Sequence, residues 1–188
     1  MTPPPDIPHP TAAARQLPYS DETLTAMRAA LARLEAEGGR DYLALLDGML
    51  DSGSLRAALG LPEESVDALY AQAFARFNAG DARGARQVFQ ALCLLAPERV
   101  DHWLGFGICL VMDGEETGAA LAFDAAVDLA PDAPAPRYHR AELLCRARRW
   151  AEARRDVAAF AALEDSPART RLAAEVQRLA ALVEHHGA

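Results

Sequence analysis

An all-α fold is what the sequence predicts, in the form of a short solenoid of three helix-turn-helix units with helices ahead of it and a capping helix behind. Three observations carry that expectation. The first is composition. Among 188 residues there are 42 alanines but only 16 valines, isoleucines and threonines together; strands need β-branched and aromatic side chains to fill a pleated surface, whereas alanine is the best helix former. The second is spacing, since apolar side chains recur every three or four positions through most of the chain, the mark of helices with one buried face. The third is a self-similarity of period 34 from Val66 onward, the length of one helical hairpin that cannot bury its apolar face without a neighbour.

The elements follow in order. Six of the twelve prolines fall within the first 18 residues, and with few apolar side chains to offset the entropy of ordering, residues 1–19 are expected to be a disordered tail. Ser20, with Asp21 and Glu22 behind it, supplies a helix cap and an acidic first turn. Leu24, Met27, Leu31 and Leu34 then recur at helical spacing up to Gly38-Gly39. A short helix from Tyr42 to Leu50, with Leu43, Leu46 and Leu50 on one side, ends at Ser52-Gly53, and Leu55 to Leu59 forms one more apolar turn before Leu61-Pro62. Residues 20–61 are thus an N-terminal helical segment. Its stripe of Leu24, Met27, Leu31 and Leu34 needs a partner surface, supplied either by a second copy in a homodimer or by the first repeat, which the segment would cap.

Shifting the sequence by 34 pairs Leu69 with Trp103, Ala73 with Gly107, Ala85 with Ala119, Phe89 with Phe123 and Pro97 with Pro131. Large, small, small, aromatic and proline classes keep their spacing, which is the tetratricopeptide pattern. The small residues mark where helix A crosses helix B, and the phenylalanines fill the space between units. Asn78-Ala79-Gly80-Asp81 and Asp113-Gly114-Glu115 are the turns between A and B, with glycine in the left-handed conformation that ends a helix. Pro97 and Pro131 stop each helix B. A third unit runs from Pro134 to Leu163 in altered form: Ala141 and Ala153 keep the small positions, but Arg137 stands for the large residue at the head, Val157 for the phenylalanine and Asp165 for the proline. The repeats therefore occupy 62–165. A last helix over 166–188, opened by Ser166-Pro167 with Leu172, Val176, Leu179 and Val183 in one stripe, covers the end of the solenoid.

Helix A lines the inner curve of such a solenoid, and the framework residues point into the core, so the positions between them face the groove. These are Tyr70, Phe74 and Phe77 in the first unit, Leu104, Ile108 and Val111 in the second, and Tyr138, Glu142 and Cys145 in the third. Tyr70, Phe74 and Phe77 are spaced by four and three, hence one stripe of one helix face. The plain alternative is that they are core. Against it, Leu69, Ala73 and Phe89 already account for the framework, and a contiguous exposed apolar stripe marks an interface.

Nothing in the sequence points to catalysis, and neither a metal, a cofactor nor a small-molecule substrate is expected. No nucleophile elbow, zinc-helix, phosphate-loop or dinucleotide fingerprint occurs. His102 and His139 are read as packing residues and His185-His186 as a helix end. Cys93, Cys109 and Cys145 lie too far apart for a zinc-type pair and are expected to be reduced, packed thiols. Arg146, Arg148, Arg149, Arg154 and Arg155 form the one basic cluster, read as a solvated helical face with the capacity to pair with an acidic segment. A net charge of −8 disfavours nucleic acid and anionic membranes as partners. No apolar run approaches the ~20 residues of a membrane span, and Met1 to His9 lacks the features of a signal peptide, so a cytoplasmic location is expected.

Three stretches resemble one family in particular: Leu69-Tyr70-Ala71-Gln72-Ala73-Phe74 leading into Val88-Phe89-Gln90-Ala91-Leu92-Cys93, then Trp103-Leu104-Gly105-Phe106-Gly107, and finally Pro136-Arg137-Tyr138-His139-Arg140-Ala141-Glu142. They are similar to the class II type III secretion chaperones of the low calcium response H type, over about Gly53 to Leu163. The departures are a longer proline-rich start and a C-terminal segment without a match. The resemblance implies binding without chemistry: a bacterial cytoplasmic protein that cradles an extended segment of a hydrophobic translocator in the concave face of its repeats, with dimerisation through N-terminal helices. Outside this family, a generic tetratricopeptide adaptor for charged peptide termini needs Lys, Arg and Asn on the groove face, where this chain has aromatic and aliphatic residues. A transcriptional co-regulator is compatible with the family but is not read from these residues.

Overall fold

The computed structural model describes residues 29, 31–32, 42–52 and 54–186. The expected tail over 1–19 lies outside these residues, as do Leu24, Met27 and Leu34; Leu31 is helical and half-buried. The chain divides into two compact units, 1–61 and 62–188. In the first, α1 (Tyr42–Ser52) packs against α2 (Leu55–Ala58). Gly48 permits the approach, because a Cβ there would stand 3.1 Å from that of Ala58. Arg56 closes this unit by donating to the Leu61 carbonyl at 2.8 Å.

The second unit consists of α3 (Glu63–Asn78), α4 (Ala82–Leu95), α5 (Val100–Met112), α6 (Glu116–Leu129), α7 (Pro134–Arg146), α8 (Trp150–Ala161) and α9 (Pro167–His186). Each helix packs on the next, α5 also touches α7, and α9 lies on both α7 and α8. This is a tetratricopeptide solenoid: α3, α5 and α7 are the A helices, α4, α6 and α8 the B helices, and α9 the cap. Local chemistry sets the boundaries. Glu63 and Glu64 occupy the positive first turn of α3. The Asp81 carboxylate accepts from the Gly84 amide at 2.9 Å to cap α4. Gly80 and Gly114 end α3 and α5 at φ 80° and 77°, values that glycine adopts without strain. The Ser166 hydroxyl accepts from the Arg169 amide at 3.1 Å at the head of α9.

The core is built on small residues facing rings. Ala73, Ala85, Ala119 and Ala153 are wholly buried. The Phe89 ring lies over Gly105, where a Cβ would come within 2.4 Å of it, and the Phe123 ring lies over Gly107, where a Cβ would come within 2.5 Å. Phe123 also stacks on His139, centroids 5.8 Å apart, and His139 is the third-repeat equivalent of Gly105. Phe89 and Phe123 therefore reach the same position of the next A helix.

The third repeat replaces rings by ions without losing the geometry. Arg137 Nε donates to the Pro131 carbonyl at 2.9 Å, repeating the bond that Trp103 Nε1 makes to the Pro97 carbonyl at 2.7 Å. Arg140 donates twice to the buried Asp156, at 2.7 and 2.6 Å, and once to Asp124 of α6 at 2.8 Å.

Gly107→Leu should therefore lower stability by about 3 kcal/mol or more, because the added side chain displaces the Phe123 ring from a close-packed site. A urea midpoint equal to that of the wild type would mean that α5 and α6 do not cross at this residue.

Candidate peptide-binding groove

Three helices carry the candidate groove. On α3, Phe74 is 54% exposed, while Tyr70 and Phe77 are half-buried against the core between α3 and α4. The Tyr70 ring stands edge-on to Phe89 at 6.0 Å, so this residue belongs partly to the core and partly to the face. On α5, Leu104, Ile108 and Val111 are all half-buried against the core that contains Phe123, and exposed Met112 adjoins them at the helix end. On α7, Tyr138 and Glu142 are half-buried. Cys145 is buried among Leu144, Ala153 and Val183; as a groove-facing residue it is corrected to core, because α9 covers that side of α7.

Burial and the Glu142 and Glu175 carboxylates raise the pKa of the Tyr138 hydroxyl, while Arg178 lowers it. The hydroxyl is thus a neutral donor and acceptor at physiological pH. Glu175 and Arg178 lie on α9, so the cap contributes charge to the third-repeat end of this face. The sequence reading missed both residues because α9 was expected only to close the solenoid; the one available signal was that they sit next to the buried stripe rather than opposite it.

The histidines act in packing. His102 is fully buried, and its Nδ1, 3.1 Å from the Ala96 carbonyl, must carry the proton because a carbonyl only accepts. Burial is the main cause of its lowered pKa, so the ring stays neutral. His139 sits between Phe123 and Tyr138 with Glu142 3.8 Å from Nδ1. Burial brings its pKa down to about 4. The three cysteines are buried and free, and burial pushes the Cys93 thiol up to about 12 and Cys109 up to about 11, so neither is a nucleophilic thiolate at neutral pH. Among the described residues no group of three or more His, Cys, Asp or Glu side chains could hold a metal ion, and no helix is long and apolar enough to cross a membrane.

Fold and face together define a tetratricopeptide-repeat protein with a partly exposed apolar face on its A helices. No protein-family model matches the chain. The low calcium response locus protein H of Yersinia pestis is 28% identical over 120 residues, covering 63% of this chain and 71% of that protein. PcrH of Pseudomonas aeruginosa, in its complex with the chaperone binding region of PopD, is 27% identical with a TM-score of 0.63, covering 69% of this chain and 98% of PcrH. The Yersinia enterocolitica type III secretion chaperone SycD, solved with a peptide of the translocator YopD, matches with a TM-score of 0.60 at 24% identity, covering 67% of this chain and 95% of that one. In sequence and in structure the chain is thus similar to type III secretion chaperones.

A neutral, packed His139 has a consequence for stability. The unfolded side chain titrates near 6.5 and the folded one at about 4, so as pH falls below 6.5 the unfolded chain takes up the proton first. Its stabilising contribution is complete above pH 6.5 and is lost as pH falls through about 4. His102 acts in the same direction. Thermal melts of wild type and His139→Phe across this window should diverge, the variant losing less stability on acidification; parallel curves would mean that His139 is not held neutral.

Proposed function

We propose that the chain is a cytoplasmic chaperone of a bacterial type III secretion system, a binding protein and not an enzyme. In this reading it holds an extended segment of a hydrophobic translocator in the groove of α3, α5 and α7, keeping the client soluble, separate and export-competent. The observation that carries the proposal is Phe74, a ring more than half exposed on the same stripe as Tyr70 and Phe77, because apolar rings kept in water along one face are a surface that gains by being covered. The PopD, PopB and YopD segments bound by related chaperones support the class of client. Covering ~500 Å² of apolar surface contributes on the order of 10 kcal/mol before association and ordering costs, which leaves an affinity nearer micromolar than picomolar. Such a complex holds its client and can still hand it on.

The test is to measure peptide affinity and urea midpoint together, using the chaperone binding regions of PopD and PopB. Phe74→Ala should weaken binding at least about tenfold while the midpoint stays within about 0.5 kcal/mol of wild type. An unchanged affinity for the best peptide, or a collapse of the midpoint, would assign Phe74 to the framework instead.

Residues 20–61 are assigned to self-association as a homodimer, through the stripe of Leu24, Met27, Leu31 and Leu34. An alternative dimer is described for SycD, a protein of similar fold, which supports self-association as such. Light scattering on the full chain should give a dimer at tens of micromolar, and Leu24→Asp with Leu31→Asp should return it to monomer. A wild-type monomer at that concentration would leave the segment with a capping role only.

A further inference from the structure

Charge is divided unevenly between neighbouring repeats. Residues 100–133 contain seven acidic side chains and no basic one, whereas residues 134–163 contain seven arginines against three acids. Two of those arginines are used internally, Arg137 on the Pro131 carbonyl and Arg140 on Asp124 and Asp156. The other five gather at the α7–α8 turn and along the first half of α8. Arg148, Arg149 and Arg154 line one shallow concavity there with Trp150, Glu152 and His186. The Trp150 and His186 rings stack in it, 4.9 Å apart and inclined by 19°.

Not all of this charge is committed. Arg149 pairs with Glu152 at 2.6 Å, and Arg154 reaches the Val183 carbonyl at 3.4 Å. Arg148 makes no ion pair among the described residues. Its backbone is also unusual: φ is 57° at the position where the first two repeats have Gly80 and Gly114. A side chain resists that conformation and glycine does not, so the third repeat keeps an uncommitted cation at a place where the same turn is easier to make without one. Strain of this kind gathers at binding sites.

We infer that this concavity is a second docking surface, separate from the groove, for a short acidic segment of a partner polypeptide. Its carboxylates pair with Arg148, Arg149 and Arg154, and its chain lies over the Trp150 ring. The neighbouring repeat sets the length. Fields at physiological salt persist for about 8 Å, so a few carboxylates seated here feel chiefly the three arginines and the paired Glu152, while a long polyanion or an anionic membrane meets the seven acids of the second repeat more fully. Because the surface does not use Phe74 or its neighbours, it stands or falls independently of the groove.

The experiment is fluorescence anisotropy with the full chain and a short fluorescein-labelled Glu/Asp peptide, at low and high salt. Binding should weaken with salt and fall about tenfold or more in Arg148→Gly combined with Arg149→Gln. It should be unchanged in Phe74→Ala and in Arg83→Gln, a variant of an exposed arginine on α4. Arg148→Gly alone should melt no lower than wild type, since it relaxes the turn, so a loss of binding in it is not a loss of fold. The inference is overturned if the peptide does not bind, if the double variant binds equally well, or if Arg83→Gln costs as much. It is likewise overturned if phosphatidylglycerol vesicles or a single-stranded oligonucleotide bind as tightly with the same dependence on Arg148.

Discussion

Phe89 and Phe123 each leave a B helix and lie where the following or facing A helix has no side chain at all. A Cβ at Gly105 or Gly107 would fall 2.4 or 2.5 Å from the ring, so the pairing of ring and glycine sets how closely the helices approach. Much of the repeat unit follows from it. With the helices drawn together through alanine, glycine and one ring per unit, the framework needs nothing from the other residues of helix A. Tyr70, Phe74 and Phe77, and likewise Leu104, Ile108 and Val111, are then free to serve the face. Most of them still lean on the core with part of their surface, which holds their rotamers ready and lowers the ordering cost of covering them.

The third repeat solves the same spatial problem with charge. Arg140 spans from Asp124 on α6 to Asp156 on α8, and Arg137 lies 3.7 Å from the same buried carboxylate. A buried ion pair adds little over well-packed apolar groups, but breaking it by removing one partner costs about 3 to 5 kcal/mol, because the other charge is left in a poor solvent. Its value here is directional. Rings tolerate sliding, whereas a bidentate guanidinium and carboxylate fix both angle and register. The network ties the last repeat to the second at a defined pitch, and the arginine-rich turn beyond it takes its place from α7 and α8.

The helices, their turns and the ring-to-small-residue framework were legible because they are local or repeat themselves: the period of 34, glycine at the first two A–B turns and proline after the first two B helices all act within one unit. What could not be read depends on residues brought together by the tertiary structure. Arg140 and Asp156 are 16 positions apart, and no periodicity links them. Arg137 read as a departure from the aromatic pattern, yet its guanidinium makes the indole's hydrogen bond, because the pattern records side-chain size and the structure uses a donor. Cys145 has the same register as Phe77 and Val111, but α9 lies against α7 and buries it, so a rule derived from interior repeats fails at the terminal one. The face itself was readable as a stripe; how far each residue is withdrawn into the core was not, since that depends on the neighbouring helix.

Along the groove the chemistry changes in one direction. The residue at the same repeat position is Phe74, then Ile108, then Glu142, and at the last of these Tyr138, Glu175 and Arg178 gather as well. An extended client in the proposed groove therefore meets an exposed ring at one end and a hydroxyl with both signs of charge at the other. Apolar burial alone is indifferent to polarity of the chain and to register, because any hydrophobic side chain gains by covering Phe74. Hydrogen bonds and charges are not indifferent: a client placed backwards sets its polar groups on Phe74 without partners and leaves Tyr138 and Glu142 desolvated, at about 1 to 3 kcal/mol for each buried group so stranded. In the proposed groove, the gradient from ring to carboxylate would thus fix direction, while the modest apolar area would limit strength. Such a groove would select a segment by its order of side chains and still let it go.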